Sequence, residues 1–161
     1  MAELTEGGVA PDFSLPATNG KEIRLKDFKS KQRVVLYFYP KDDTPGCTVE
    51  ACGFRDKSRA IEGKGAVVFG VSPDGVASHG RFIEKFKLPF LLLADEQKQV
   101  AKDYGVWVKK SMYGKEYFGV ERSTFVIGRD GRIEKIYRKV KPDGHPEEVL
   151  EFLSSAPAGV R

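Results

Sequence analysis

Two unbroken apolar runs dominate the chain: Arg33–Pro40 (RVVLYFYP) and Ala66–Ser72 (AVVFGVS). Runs without polar alternation are expected of strands covered on both faces, and Pro40 ends the first. About twenty residues lie between them, ending at Glu62–Gly65 with glycine stop signals, so the pair predicts a βαβ unit with parallel strands and a right-handed crossover. After Pro73-Asp74-Gly75, the segment Val76–Lys87 places Phe82, Ile83 and Phe86 at three- and four-residue spacing. That spacing predicts a helix with one inward face, stopped by Leu88-Pro89. Phe90–Asp95 reads as a short strand, and Glu96–Tyr104 as a short helix closed by Gly105. Ser123–Ile127 and Arg132–Tyr137 flank Gly128-Arg129-Asp130-Gly131 and predict an antiparallel hairpin turning at Asp130-Gly131. His145–Leu153 carries Pro146 at a first-turn position, acids at Glu147 and Glu148, and Val149, Leu150 and Phe152 for burial, the marks of a closing helix.

With an N-terminal hairpin over Phe13–Leu25, the order is hairpin, β, α, β, α, β, α, hairpin, helix. This α/β order fits a thioredoxin-like fold: a mixed central β-sheet flanked by helices. Neither an internal repeat nor a linker richer than ordinary turns interrupts it, so residues 1–161 are expected to form a single domain.

Composition narrows the function. Hydrophobic residues make up 40% and charged residues 31%, spread evenly, as in a soluble globular chain. The first residues, MAELTEGGVAPDF, lack a basic start and an apolar stretch, and no window approaches the roughly 18 apolar residues of a membrane span. A soluble, cytoplasmic protein is expected, with a processed organelle form as the other option. Net charge is +4, but acids are interleaved with the basic residues, which argues against a nucleic-acid surface. The 2 cysteines fit a reducing compartment, where a disulfide is transient.

Those cysteines carry the chemistry. Pro40–Cys52 (PKDDTPGCTVEAC) leaves the first strand and enters the crossover helix, where α/β sheets usually place their sites. Thr44 suits the N-cap and Pro45 the first helical position, which puts Cys47 third in the helix. There the helix dipole and free amides favour thiolate over thiol. An isolated cysteine at such a place is more often a small buried hydrophobe. Cys52 shifts that balance, because a second thiol in the same helix can resolve an oxidised first one. Residues five apart in an intact helix have Cα atoms roughly 8.6 Å apart, whereas a disulfide needs under about 7 Å. A Cys47–Cys52 bond therefore requires the helix to unwind, which Gly53 would ease. The spacing departs from a Cys-X-X-Cys reductase motif. It also fails a zinc site, for which only Cys47, Cys52, His79 and His145 are on offer.

Pro40, Thr44 and Cys47 form the Pro-X-X-X-Thr-X-X-Cys pattern, and with Thr-Pro-Gly-Cys-Thr-Val-Glu-Ala-Cys the chain resembles the peroxiredoxins, in particular the Q-type, or bacterioferritin comigratory, subgroup. Ala10-Pro11-Asp12-Phe13, Gly70-Val71-Ser72 with Ser78-His79, Leu88-Pro89-Phe90 and Glu121–Phe125 extend the resemblance along nearly the whole chain. It implies a peroxidatic Cys47, a Thr44 that hydrogen-bonds sulfur and peroxide, a Pro40 that shields the pocket and an Arg122 that polarises both. Cys52 would resolve. Hydrogen peroxide and organic hydroperoxides would be substrates, thioredoxin or a related dithiol the reductant, and a monomer the working unit, with no metal, haem or flavin. Without the resemblance, Arg122 reads as a surface cation, Thr44 as a cap, Pro40 as a strand end, and Glu50 as either an exposed helix residue or a network partner. His79 and His145 read as a helix-start and a turn residue without catalytic roles; Trp107, Tyr113, Tyr117 and Phe118 read as packing, or as lining for a hydroperoxide tail. A thiol–disulfide exchange protein and a redox-regulated binding module are the alternatives on the same fold.

Overall fold

The computed structural model describes residues 3–155. Its centre is β3 (Arg33–Phe38), every residue of which is buried. The five-stranded sheet runs β5 (Leu91–Ala94), β4 (Ala66–Ser72), β3, β8 (Ser123–Ile127), β9 (Ile133–Tyr137). The first three strands are mutually parallel and β8 and β9 antiparallel to their neighbours, so the sheet is mixed as expected. Helix α1 (Pro45–Gly63) makes the β3-to-β4 crossover, α2 (Val76–Phe86) leads to β5, α3 (Gln99–Asp103) follows β5, and α4 (His145–Ser155) closes the described chain.

Alternation along β3 divides the core. Val34, Leu36 and Phe38 face one cluster with Phe69, Tyr104, Phe125 and the N-terminal segment. Val35 and Tyr37 face the other, with Phe54 and Ile61 of α1, Phe82 of α2, and Val149 and Leu153 of α4. A period of two on a doubly covered strand produces this division directly. The N-terminal hairpin pairs β1 (Ser14–Pro16) with β2 (Glu22–Arg24).

Three local expectations are corrected. Helix α2 ends one residue before Leu88-Pro89, because Lys87 takes a left-handed conformation with φ 54° and returns its N–H to Ile83. Helix α3 is shorter than Glu96–Tyr104. The larger omission is a second hairpin, β6 (Trp107–Met112) with β7 (Lys115–Val120). Its turn residues Tyr113 and Gly114 have φ of 53° and 78°, the double positive of a type I′ turn. Expected to pack, Tyr113, Tyr117 and Phe118 instead stand exposed along this hairpin.

Candidate active site

β3 delivers the chain to the loop 39–44, and that loop is locked before the helix starts. Tyr39 hydroxyl, Ser78 hydroxyl and His79 Nδ1 all converge on the Asp42 carboxylate. The Asp42 amide donates to Asp74 Oδ2 at 2.8 Å, and Asp74 also accepts from Ser72. His79 Nε2 lies 2.9 Å from the Leu93 carbonyl, which can only accept, so this nitrogen donates. Burial pushes the Asp42 carboxyl up, but the hydrogen bonds from His79 and Tyr39 outweigh it and leave the group below its ordinary value. His79 is thus a fully buried lock between three elements, more than the helix-start residue read from sequence. Oxygen and nitrogen atoms of Asp42, Asp74 and His79 come within 4.8 Å of one another. All three are engaged in the hydrogen bonds just described.

From this loop α1 starts as expected, with Thr44 extended at the N-cap and Pro45 first. The cap itself differs: the Thr44 hydroxyl makes no capping bond and donates to the Lys41 carbonyl at 2.9 Å. Cys47 is third in the helix and 2% exposed, and belongs to the same buried apolar cluster as Val35 and Ala51. It is nevertheless in polar contact, because Arg122, in the link between β7 and β8, donates from Nη2 to Cys47 Sγ at 3.4 Å. Nη1 of the same guanidinium donates to Glu50 Oε1 at 2.7 Å. Gly46 makes room for this approach, since a Cβ there would lie 3.1 Å from Nη2.

Arg122 therefore bridges one sulfur and one carboxylate on the same face of α1. Burial opposes its charge, but Glu50 and then Cys47 more than compensate, raising its pKa further. Glu50 is fully buried, and its second oxygen has no hydrogen-bond partner. Burial pushes it up to about 7 against the pull of Arg122. Tyr37, buried beneath, is pushed well up by desolvation and then by Glu50. Lys110 of β6 is lowered by burial and by Arg122. Glu50 is thus the network partner of the two options the sequence left open.

Of the residues the sequence singled out, Cys47 and Arg122 are in contact. Thr44 stands one turn before the sulfur with its hydroxyl turned to Lys41. Pro40 lies two residues past β3. Cys52 is half-buried, one and a half turns after Cys47, and both thiols are free. Sequence reasoning gave Asp42 no role, although it holds the loop that presents Cys47. The residue types gave no sign of it, because most of its partners are distant in sequence: Asp74 in the turn after β4, and Ser78 and His79 of α2.

Two free cysteines in the first crossover helix of a mixed α/β sheet, with a half-buried arginine donating to the first sulfur, are the arrangement of a thiol-dependent oxidoreductase. The chain belongs to the AhpC/TSA family, whose pattern matches residues 7–136. It is 50% identical over 147 residues to Peroxiredoxin Bcp of Bacillus subtilis, covering 91% of this chain and 93% of that protein. A solved mutant of PrxQ from Xylella fastidiosa superposes with a TM-score of 0.90 at 36% identity, covering 97% and 99% of the two chains. Structures of the Xanthomonas campestris bacterioferritin comigratory protein, whose reported subject is alkyl peroxide reduction, give 0.85 at 36% identity over 89% and 91%. The fold is accordingly thioredoxin-like.

Proposed function

We propose that the protein is a thiol peroxidase in which Cys47 reduces hydrogen peroxide and organic hydroperoxides. The observation that carries this reading is the Arg122 guanidinium donating to Cys47 Sγ in the first turn of α1. A cation and a helix N-terminus both stabilise sulfur as the anion, which is the nucleophile. The Cys47 thiolate attacks one peroxide oxygen; the S–O bond forms as the O–O bond breaks. The leaving oxygen departs as alkoxide or hydroxide and takes a proton to become alcohol or water. Arg122 is placed to stabilise that developing charge, and Thr44 can assist once its hydroxyl turns from Lys41. Pro40 shields the pocket. The alkyl peroxide activity reported for the Xanthomonas campestris relative supports the substrate class.

The Cys52 thiol then attacks the Cys47 sulfenic acid: the S–S bond forms, the S–O bond breaks, and the hydroxyl leaves with the thiol proton as water. Exchange with an external dithiol of the thioredoxin type restores both thiols. With both thiols in one helix, the cycle closes within a single chain, so one domain and a monomer suffice. Two free thiols suit a reducing cytoplasm. Among the described residues no helix is long and apolar enough to cross a membrane.

Equimolar hydrogen peroxide should remove both thiols of the wild type, and Cys47→Ser should consume none. Cys52→Ser should react once and stop as a sulfenic acid that dimedone traps, without thioredoxin-driven turnover. Peroxide consumption by Cys47→Ser would overturn the assignment. A thiol–disulfide exchange protein would instead reduce disulfides and leave peroxide untouched.

A further inference from the structure

The first two residues of α4 are buried, although Glu147 and Glu148 beside them are exposed. His145 Nδ1 lies 2.8 Å from Glu148 Oε1, and its Nε2 lies 2.8 Å from the Thr124 hydroxyl. A carboxylate only accepts, so Nδ1 carries the proton; burial favours the neutral ring, in which Nε2 accepts from the Thr124 hydroxyl. The ring stands edge-on to Phe54, with centroids 6.0 Å apart, and to Tyr137 at 5.0 Å. Pro146 presses on the preceding residue of α1: a Cβ on Gly53 would fall 2.7 Å from Pro146 Cγ. Gly53 is therefore required by a close approach between helices, a different reason from the flexibility expected of it. Phe54 is in turn stacked on Tyr37 of β3 at 4.7 Å.

Gly53 and Phe54, directly after Cys52, are thus held by α4 and the sheet. The polar anchor of the preceding turns is different in kind, because it is Arg122, bonded to Cys47 Sγ and Glu50. Oxidation replaces the sulfur anion that Arg122 pairs with by a neutral sulfenic acid and adds an oxygen at a 2% exposed position. The reaction therefore loosens the first anchor and leaves the second intact.

We propose that the His145–Pro146 corner of α4 fixes where α1 stops unwinding when Cys47 and Cys52 bond, and so holds Cys52 at the edge of a folded segment. His145 and Pro146 are positioning residues for the resolving step and touch no reacting atom. The inference rests on the disulfide proposed above.

Hydrogen exchange followed by mass spectrometry, on the full chain reduced and after equimolar peroxide, tests it. In the oxidised wild type, protection should fall over residues 48–55, whose amides donate to carbonyls of the unwound turns, and persist over residues 56–63. In oxidised His145→Gln and Pro146→Ala, protection over 56–63 should fall about tenfold, a local opening made easier by one lost anchor. Consumption of the first peroxide equivalent should keep its wild-type rate. Thr124→Val, which removes only the hydroxyl donated to Nε2, serves if either variant fails to fold. Wild-type protection over 56–63 in the oxidised variants, or loss of protection along all of α1 in the oxidised wild type, would overturn the anchor. Absence of a linked Cys47–Cys52 peptide in the wild type would instead remove the disulfide itself, and the anchor with it.

Discussion

Arg122 serves two buried acids, and the consequences are measurable residue by residue. Its Nη2 contact with Cys47 Sγ is the only side-chain hydrogen bond to the sulfur among the described residues. Removing one preorganised donor from developing charge costs on the order of 10²–10³ in rate. Arg122→Met should lower the second-order rate with hydrogen peroxide by about that factor in stopped-flow measurements. Arg122→Lys should rescue little, because an ammonium cannot bridge sulfur and carboxylate as a planar fork does. Glu50 makes a separate prediction about pH. Its ordinary value is 4.5 and burial raises it to about 7 in the folded chain. The unfolded chain loses this proton first as pH rises, so the stability linked to it is complete below the ordinary value and is lost through about pH 7. Glu50→Gln should flatten that decline in urea midpoints measured across this range, and an unchanged slope would sink the argument. Asp42 and His145, both lowered, act in the opposite sense, since their contributions are lost as pH falls. His145 offsets part of the Glu50 slope in the same pH range, so the difference between wild type and Glu50→Gln, in which Asp42 and His145 are unchanged, isolates the Glu50 contribution.

At the level of elements, the contact between α1 and α4 reverses an ordinary expectation. Alanine in place of glycine inside a helix is usually stabilising by about 1 kcal/mol. At Gly53 the added Cβ would lie 2.7 Å from Pro146 Cγ. Gly53→Ala should therefore destabilise by about 1–3 kcal/mol, the cost of overpacking. Combining it with Pro146→Ala should recover most of that loss, and a double-mutant cycle of urea midpoints reads the coupling. The β6–β7 hairpin shows why some elements are hard to see in sequence. Its outer strand residues are exposed on both faces, so no apolar alternation marks it. The one legible signal was Tyr113-Gly114 between two short runs, and Tyr113 is an unusual residue for a left-handed turn position.

Across the molecule, Arg33 ties distant pieces together. It is fully buried at the start of β3, donates from Nη2 to Glu134 Oε1 of β9 at 2.6 Å, and from Nη1 to the Leu153 carbonyl of α4 at 3.2 Å. Breaking a buried pair by removing one partner leaves an uncompensated charge. Glu134→Ala should therefore cost about 3–5 kcal/mol in urea unfolding. A loss below about 1 kcal/mol, typical of a surface pair, would show that water reaches Arg33.

Much of this protein was already decided by the order of its residues. The apolar runs Arg33–Pro40 and Ala66–Ser72 can only be strands covered on both faces, and Thr44-Pro45 opens the helix that carries Cys47. Periodicity, helix stops and turn residues act over a few positions, so they are legible without the fold. The environment of each charged or polar group was not legible. Arg122 is 75 residues from Cys47, and Asp42 and His145 find partners 37 and 21 residues away. From residue type alone Arg122 passes for a surface cation, Glu50 for either an exposed helix position or a network partner, and Gly53 for a flexible joint. Which of them is buried, and against what, depends on how β8, α2 and α4 close over the helix. That closure turns a cysteine at a helix start into a sulfur paired with a cation.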